Sequence, residues 1–454
     1  MEEAAKRKYG VKVMSMFAGQ REQTEKKNIG KIMVGYDLGK TSSQISYCTP
    51  DASLAETVSS VAGTEQFNIP TVLCKRNGVN QWYYGKEALK YAQSGEGVIV
   101  EDLLTLAVNG EDVLVEEECY DPVALLTLFV KRSLSLLNMQ VPLKNMEAIM
   151  FTVEDLSPRM VDVLSKVAAG LQLKIKNIYF QSYVESFYYY VLHQPAELWK
   201  NKVLIFDYNH DMKSYCFECN KKTVPQVVFI TGKQYPIMPR VTFPEEPEAQ
   251  EAFKREMDEK FIRIVEGEVS EDMISTVYLL GDGFKGNWTT QSLKMICRNR
   301  RVFQGNNLYS KGACYGAVER ISPSEAGKEH VFLGKDKLKA NIGMKVLRQG
   351  EDSYFAVLDA GTNWYEAKAD YEVILDNDNV LEFLITPLTG EKLINRQIIL
   401  EGLPERPKRC TRLRIQIEMT TVNQASLTIE DLGFGEIFQS SGKGWSQTIS
   451  LSDK

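Results

Sequence analysis

The sequence lacks any apolar run that approaches the roughly 18 residues of a membrane-spanning helix. Its longest clear run, Val123–Val130, is interrupted by Thr127. It also lacks an excess of basic residues, because 54 Lys and Arg are outnumbered by 60 Asp and Glu, for a net charge of −6. Nucleic-acid binding depends on clustered Lys and Arg, so we expect neither a membrane-spanning nor a nucleic-acid-binding protein.

Histidine is scarce, and the cysteines are scattered along the chain. No nucleophile motif accompanies any of the three histidines, so nothing supports a Ser–His or Cys–His catalytic arrangement. Cys216 and Cys219 form the pattern Cys-x-x-Cys, but no second pair and no nearby histidine completes a zinc site. Eight cysteines spread over 454 residues are typical of reduced thiols in the cytosol, and we predict a cytoplasmic protein.

The length of the chain predicts several domains, because 454 residues exceed what one hydrophobic core usually supports. Residues 1–28 are charged, and their one apolar stretch, Val13–Ala18, contains Ser15. That stretch is too short for a secretory signal. We therefore expect residues 1–28 to form a flexible N-terminal arm.

The stretch Gly30–Tyr47 has the pattern of two strands joined by a tight turn. Apolar side chains alternate with other residues from Ile32 to Tyr36, and the alternation resumes at Ile45 after a polar segment. Asp37 therefore lies at the end of the first predicted strand, beside the turn.

The turn after Asp37 has the residue types of a phosphate-binding loop. Gly39 permits close backbone approach, while the Lys40 ammonium, the Thr41 hydroxyl and the amides of both residues can converge on a phosphate chain. Asp37 is placed to hold a metal-bound water. An ordinary hairpin with polar turn residues is the alternative that this stretch leaves open.

The segments that follow alternate between strand and helix patterns, and we assign residues 29–194 to one α/β lobe. The predicted elements are an extended region at Asn68–Leu73, a strand at Trp82–Tyr84, a helix at Asp121–Leu137, a strand at Met146–Val153, a helix from Pro158 that ends at Gly170, a strand at Ile175–Phe180 and a helix at Val184–Leu192.

The pattern of the first hairpin recurs from Asn201, where NKVLIFDYNHDMKSYCFE predicts a strand, a polar turn beginning at Asp207 and a second strand. Two such hairpins can hold a metal–phosphate group between their aspartates. We assign residues 195–323 to a second, reduced lobe. Its further predicted elements are a helix at Ala249–Ile264, a strand at Thr276–Leu280 that leads into Gly281-Asp282-Gly283-Phe284, and a helix at Gly312–Val318.

Several short motifs occur in an order that resembles the actin-like ATPase superfamily, and most closely its DnaK-type heat-shock chaperones. They are DLGKTSSQ at Asp37–Gln44, AAGL at Ala168–Leu171, the hairpin at Asp207, VYLLGDGF at Val277–Phe284 and NNLYSKGACYGA at Asn306–Ala317. The resemblance covers roughly residues 29–323, and each motif alone is weak.

This resemblance implies a two-lobed, ribonuclease-H-like α/β domain that binds ATP or ADP with Mg²⁺ between its lobes. It makes the two hairpins the phosphate loops and VYLLGDGF the adenosine-binding strand. Mg²⁺ would be held through water by Asp37 and Asp207, which are also the candidate catalytic residues. The implied nucleotide-binding residues are Asp37, Gly39, Lys40, Thr41, Asp207, Gly281, Asp282, Gly283 and Phe284.

Beyond a predicted linker at residues 324–337, the chain is similar to the β-sandwich substrate domain of the same chaperones. The motifs are LKANIG from Leu338, DAGTNW at Asp359–Trp364 and a longer match at Gly402–Met419. Strict apolar–polar alternation up to Met419 independently predicts a half-buried antiparallel sheet. We expect residues 338–454 to bind a polypeptide client or protein partner, without the helical lid that usually follows the sandwich.

The sequence departs from the chaperones where they hydrolyse ATP. Their second phosphate loop is rich in glycine, because bare backbone must approach the terminal phosphates, whereas this chain has Asp207-Tyr208-Asn209-His210-Asp211. The segment Val100–Leu104 contains acids where the chaperones have a catalytic lysine. Their Asn-Glu-Pro motif at the first connecting helix is replaced by Gln181-Ser182-Tyr183.

Two functions therefore remain open from the sequence. The first is a chaperone-like nucleotide-binding protein with weak or absent hydrolysis, in which the apolar residues of Glu329–Lys337 dock in one nucleotide state and are released in another. The alternative is a catalytically inactive pseudo-ATPase that acts as a protein-interaction scaffold. A sugar or acid kinase on the same fold is less favoured, because those enzymes lack the sandwich.

Overall fold

A computed structural model describes residues 30–50, 54–61, 63–269, 273–348, 350–376, 379–388 and 392–451. The predicted N-terminal arm, residues 1–28, lies outside the described residues. The chain divides into two compact units between Val331 and Phe332. This division falls within the segment 324–337 that the sequence predicts as a linker.

The first unit is mixed α/β. Its strands are β1 (Ile32–Leu38), β2 (Ser42–Cys48), β3 (Glu56–Thr57), β4 (Ile69–Pro70), β5 (Leu73–Arg76), β6 (Trp82–Tyr84), β7 (Gly97–Val100), β8 (Val113–Val115), β9 (Glu118–Tyr120), β10 (Met146–Val153), β11 (Asn177–Ser182), β12 (Lys202–Asp207), β13 (Met212–Asn220), β14 (Gln226–Tyr235), β15 (Ile274–Leu280), β16 (Arg301–Gly305) and β17 (His330–Phe332), at which the chain passes into the second unit.

The helices of the first unit connect these strands. They are α1 (Gly85–Gln93), α2 (Leu103–Asn109), α3 (Pro122–Leu134), α4 (Pro158–Leu171), α5 (Tyr183–Leu192), α6 (Pro247–Val269), α7 (Thr290–Ile296), α8 (Leu308–Ile321) and α9 (Glu325–Glu329). Short 3₁₀ helices occur at Ser135–Met139, Leu143–Asn145, Ala196–Leu198 and Asp282–Phe284.

The two largest sheets of this unit share one strand order. The first sheet runs β11-β10-β1-β2-β3, with β4 also paired to β2, and the second runs β16-β15-β12-β13-β14-β17. In each sheet the first hairpin strand, β1 or β12, pairs antiparallel with the next strand and parallel with a later one. The chain therefore forms the same arrangement twice, as the recurrence of the hairpin pattern predicts.

The predicted first hairpin is confirmed, and its central strand is buried along its whole length. Helix α8 packs directly on this strand, because a Cβ atom added to Gly35 would lie 2.1 Å from the carbonyl oxygen of Ser310. Helix α5 contacts the second sheet, where the rings of Phe187 and Phe217 are 6.2 Å apart. Each of these two helices thus follows one sheet in the sequence and packs on the other.

Several predicted helix boundaries are wrong. Helix α4 does not end at Gly170 but continues to Leu171, and the residue that caps it in the left-handed conformation is Gln172. Gly170 instead provides space, since a Cβ atom there would lie 2.9 Å from the Thr127 side chain of α3. Helices α6 and α8 are also longer than the predicted Ala249–Ile264 and Gly312–Val318, and α8 begins four residues earlier, with Leu308, Tyr309 and Ser310 buried in its first turn.

Residues 122–139 are long and apolar enough to be a candidate membrane span, which differs from the expectation that the sequence holds none. A core helix of a soluble protein can have the same length and composition. Leu126, Phe129 and Val130 are fully buried in the first unit, as the side chains of a core helix are.

The second unit consists of two four-stranded antiparallel sheets. Its strands are β18 (Ala340–Arg348), β19 (Glu351–Leu358), β20 (Lys368–Leu375), β21 (Val380–Pro387), β22 (Ile394–Ile399), β23 (Thr411–Thr421), β24 (Gln424–Gly433) and β25 (Gly444–Ser450). The sheet orders are β19-β18-β21-β22 and β20-β23-β24-β25. The alternation predicted up to Met419 is confirmed, because every second residue of β23 is buried.

Candidate functional site

Two aspartates end corresponding strands in the two large sheets. Asp37 is the penultimate residue of β1, and Asp207 is the last residue of β12. Each residue is 8% exposed. Both line one cavity between the two halves of the first unit, one built on the sheet that contains β1 and the other on the sheet that contains β12. The structure therefore brings together the carboxylates that the sequence singled out.

A tyrosine from a connecting helix donates a hydrogen bond to each carboxylate. The Tyr183 hydroxyl, at the start of α5, lies 2.7 Å from Oδ1 of Asp37. The Tyr309 hydroxyl, in the first turn of α8, lies 2.7 Å from Oδ2 of Asp207. The two phenol rings stack with centroids 4.1 Å apart and planes 7° from parallel. A continuous chain of side chains therefore joins one aspartate to the other.

Both carboxyl groups have raised pKa values. Burial raises the pKa of Asp37 from 3.8 to about 7, with a contribution from the charge of Asp207 that the hydrogen bond from Tyr183 opposes. Burial likewise raises the pKa of Asp207, against the hydrogen bonds that it accepts. Burial also raises the phenol pKa values of Tyr183 and Tyr309 well above their usual range, so both hydroxyls remain protonated donors.

Asp207 makes further hydrogen bonds within its own turn. Its Oδ1 accepts from the backbone N–H of Asn209 at 3.2 Å and from the Asn209 side-chain amide at 2.9 Å. Both carboxylate oxygens of Asp207 thus already accept hydrogen bonds from the protein. A water-bridged Mg²⁺ would have to share or replace these donors.

The cavity has a volume of about 300 Å³ and is lined by polar and apolar side chains. Gly39 allows the tight turn beside it, since a Cβ atom there would lie 2.3 Å from the carbonyl oxygen of Ser42. The predicted residues that line the cavity are Asp37, Gly39, Lys40, Thr41 and Asp207. Its apolar lining includes Leu38, Leu104, Val108, Met160 and Leu280.

The lysines of this cavity lie beside a carboxylate. Lys213, paired with Asp207 across the second hairpin, donates a hydrogen bond to Glu154. Lys40 Nζ is 3.9 Å from Glu154 Oε2. Burial alone would raise the pKa of Glu154, but Lys213 holds it below its usual value. Both lysines therefore already interact with Glu154, and a bound phosphate would have to compete with this carboxylate for them.

The glycines and the phenylalanine of the predicted adenosine-binding segment lie away from this cavity. Of that strand Leu280 reaches the cavity wall, while the residues after it pack on Tyr208. Cβ atoms added to Gly281 or Gly283 would lie 2.7 and 2.3 Å from Tyr208 atoms, and Phe284 lies in the hydrophobic core of the second half. Asp282 begins a 3₁₀ turn and pairs with Lys285.

Tyr208 does not line the cavity, although it belongs to the turn that follows Asp207. Its ring is fully buried in the core and its hydroxyl donates to the carbonyl oxygen of Pro239 at 2.8 Å. The side chains at the cavity wall come from Asn209, His210 and Asp211. The turn therefore places an amide, an imidazole and a carboxyl group at the cavity wall.

Sequence reasoning missed the roles of Tyr183, Tyr309 and Lys213. A signal for the tyrosines exists in the repeat itself, because each lies in the first turn of the helix that follows the last parallel strand of its half. The alternation of the second hairpin likewise places Lys213 opposite Asp207. Among the described residues, no group of three or more His, Cys, Asp or Glu side chains is arranged to hold a metal ion.

Comparison with known families assigns both parts of the chain. Residues 54–335 match the C-terminal region of a family of unknown function, DUF5716. The chain belongs to this family. Residues 337–451 of this DUF5716 member match a domain of unknown function, DUF8552. No curated protein matches the chain.

Proposed function

We propose that the chain is a chaperone-like relative of the actin-like ATPases that does not hydrolyse ATP efficiently, and that it acts as a protein-interaction scaffold. The repeated strand order supports the relationship, because an aspartate ends the first hairpin strand of each half. Fold alone does not license function. The proposal therefore depends on the chemistry between the halves.

The observation that carries the proposal is the stacked tyrosine pair. In phosphoryl transfer the protein supplies positioned cations and donors for the charge that develops on the phosphate. Here Tyr183 and Tyr309 donate to the two carboxylates that would hold Mg²⁺ through water. Loss of one positioned cation or donor set costs a factor of about 10²–10³ in rate, so we expect turnover at or near background.

Binding of Mg²⁺ with ATP or ADP, without turnover, is the second candidate function. The turn with Gly39, Lys40 and Thr41 favours it, as does a cavity volume within the range typical of small-molecule sites. The charge of the cavity disfavours a nucleotide that binds without a metal, because acidic residues outnumber lysines in its lining. The acidic residues are Asp37, Glu154, Asp155, Asp207 and Asp211, and the lysines are Lys40 and Lys213.

The second unit is the proposed site of protein binding. Sheet edges at β19, β22, β20 and β25 have the geometry that adds an extended peptide through main-chain hydrogen bonds. Large apolar side chains are also exposed on edge strands, with Tyr354 at 47%, Phe355 at 39% and Ile399 at 60%. A polypeptide client or partner protein is the class of ligand that such edges suit.

Steady-state phosphate release by the purified full-length chain tests the proposal. We expect release at the background rate with Mg²⁺ and ATP, unchanged in Asp207→Ala. Turnover at a chaperone-like rate that Asp207→Ala abolishes would overturn it. Isothermal titration with ATP and with ADP, each with Mg²⁺, decides separately whether the second candidate function holds.

A double variant tests the role of the tyrosines directly. Tyr183→Phe/Tyr309→Phe keeps both rings and removes both hydroxyl donors, so the carboxylates of Asp37 and Asp207 become available to magnesium-bound water. We expect Mg²⁺–ATP to bind about tenfold more tightly than to the original chain, the equivalent of one hydrogen bond to a charged group. Tyr47→Phe is the matched control, because its hydroxyl donates to the surface carboxylate of Glu56. Equal affinity in all three proteins would contradict this role.

A further inference from the structure

Two cysteines that are distant in the sequence meet in the core of the first unit. Cys48 is the last residue of β2 and Cys314 lies in α8, 266 positions later. Their sulfur atoms are 2.9 Å apart, and both residues are buried, at 4% and 0% exposure. Both are free thiols.

We propose that Cys48 and Cys314 form an intramolecular disulfide under oxidising conditions, which covalently joins β2 to α8. An S–S bond is about 2 Å long, so the sulfur atoms need to approach each other by only about 1 Å. This inference does not rest on the proposed function, because it concerns a covalent change in the core.

A second pair of side chains beside the cysteines also joins the strand to the helix. Ser46 lies two residues before Cys48 on the same side of β2, and Ser310 lies four residues before Cys314 on the same side of α8. The hydroxyl oxygens of these serines are 2.8 Å apart. The strand and the helix are therefore in contact over two successive side-chain pairs, and the sulfur pair is the second of them.

Oxidation of the pair removes two protons and two electrons. Each Sγ–H bond breaks and one Sγ–Sγ bond forms, while a two-electron thiol oxidant accepts the protons and electrons. Diamide is such an oxidant: each nitrogen of its N=N bond gains one hydrogen atom, and the product is a hydrazine. A dithiol reductant reverses the reaction by thiol–disulfide exchange, in which the reductant becomes a disulfide and the two cysteines become thiols again.

Burial sets the rate of this chemistry. Burial, together with the neighbouring Cys48, raises the pKa of the Cys314 thiol well above its usual value, and thiolate is the reactive form. Oxidation therefore proceeds through local openings that admit oxidant between β2 and α8. Because α8 also holds Tyr309 against Asp207, the disulfide would fix one half of the tyrosine stack.

The test treats the full-length chain with diamide, blocks the remaining thiols under denaturing conditions and maps the peptides by mass spectrometry. We expect one cross-linked peptide pair containing Cys48 and Cys314, lighter by two hydrogen atoms and lost after reduction. Exposed Cys119 reports that the oxidant is active. Recovery of both core cysteines as free thiols after Cys119 has reacted, or their linkage to other cysteines, would overturn the proposal.

Thermal unfolding supplies a second measurement. We expect oxidation to raise the unfolding midpoint of the original chain by about 5 °C, since the bond closes a long loop. Cys314→Ala removes the bond, so its midpoint should not respond to diamide. Cys74→Ala is the matched control, because Cys74 is equally buried but lies in a separate hydrophobic cluster with Val72 and Ala88. A response that persists in Cys314→Ala, or is absent from the original chain, contradicts the proposed bond.

Discussion

At the scale of single residues, the buried carboxyl of Asp37 links the stability of the first unit to pH. Its pKa is about 7 in the folded chain against an ordinary value of 3.8. The folded state therefore binds the proton more tightly than the unfolded state does. Stability from this group is greatest at low pH and is lost as pH rises from the unfolded pKa through the folded one.

Asp37→Asn should remove this pH dependence while keeping an acceptor for the Tyr183 hydroxyl. We expect the variant to have a higher free energy of unfolding at about pH 8, by about 1–4 kcal/mol, and little difference from the original chain near pH 4. Chemical denaturation across this pH range measures both. Asp162→Asn, which removes an exposed aspartate of α4, is the control for loss of a negative charge. A curve of unchanged slope in Asp37→Asn would show that another group dominates.

A buried ion pair stabilises the ionised form of a carboxyl group in the second unit. Arg406 and Asp431 are 5% and 0% exposed and form two parallel hydrogen bonds of 2.8 and 2.7 Å. Arg406 holds the pKa of Asp431 far below its usual range. Removal of the arginine would leave a carboxylate that is buried without its counter-charge.

Arg406→Met should therefore lower the free energy of unfolding by about 3–5 kcal/mol. Arg414→Met is a matched comparison, because Arg414 forms a similar two-bond pair with Asp370 but both side chains are 44% exposed. We expect that variant to cost about 0–1 kcal/mol. Urea denaturation monitored by fluorescence compares the two variants, and equal losses would refute the dependence on burial.

At the scale of elements, the contact between α5 and α8 determines where the two tyrosines meet. Helix α8 approaches α5 so closely that a Cβ atom added to Gly312 would lie 1.9 Å from the carbonyl oxygen of Ser186. Tyr183 and Tyr309 lie in the first turns of these helices, so their stacking depends on this approach.

Gly312→Ala should destabilise the first unit by about 1–3 kcal/mol or more, since the backbone of α5 has to move to admit one methyl group. Gly267→Ala is the control, because Gly267 lies inside α6 with nothing within 4 Å of the added atom. That substitution should stabilise the protein by about 0.5–1 kcal/mol through helix propensity. Thermal unfolding compares the two variants. A neutral Gly312→Ala would show that the helices separate at little cost.

Elements with strong local patterns were predictable, and their contacts were not. Alternation located β1, β2 and β23, and the N-cap Asp121 with Pro122 located the start of α3. The sequence did not show why position 170 is a glycine, because the side chain that occupies the nearby space, Thr127, belongs to another helix. A local pattern reports which face is buried, but not what covers that face.

At the scale of the whole molecule, the repeat of the hairpin pattern predicted that two aspartates would meet, because each ends the same strand of a repeated sheet. The sequence could not predict the groups that meet them there. Tyr183 and Tyr309 come from helices that follow different sheets, so their stacking requires both halves to be assembled. The packing of Tyr208 against Gly281 likewise depends on contacts between elements that are distant in the sequence.

The repeated strand order has a consequence for ligand orientation. Asp37 with Tyr183 and Asp207 with Tyr309 hold equivalent positions, so the same tyrosine–aspartate hydrogen bond occurs on both sides of the cavity. A nucleotide, by contrast, has a base at one end and phosphates at the other. The two tyrosine–aspartate pairs by themselves do not distinguish these ends. The direction of an elongated ligand must therefore be set by the turns after β1 and β12, whose sequences differ, and not by the carboxylates between them.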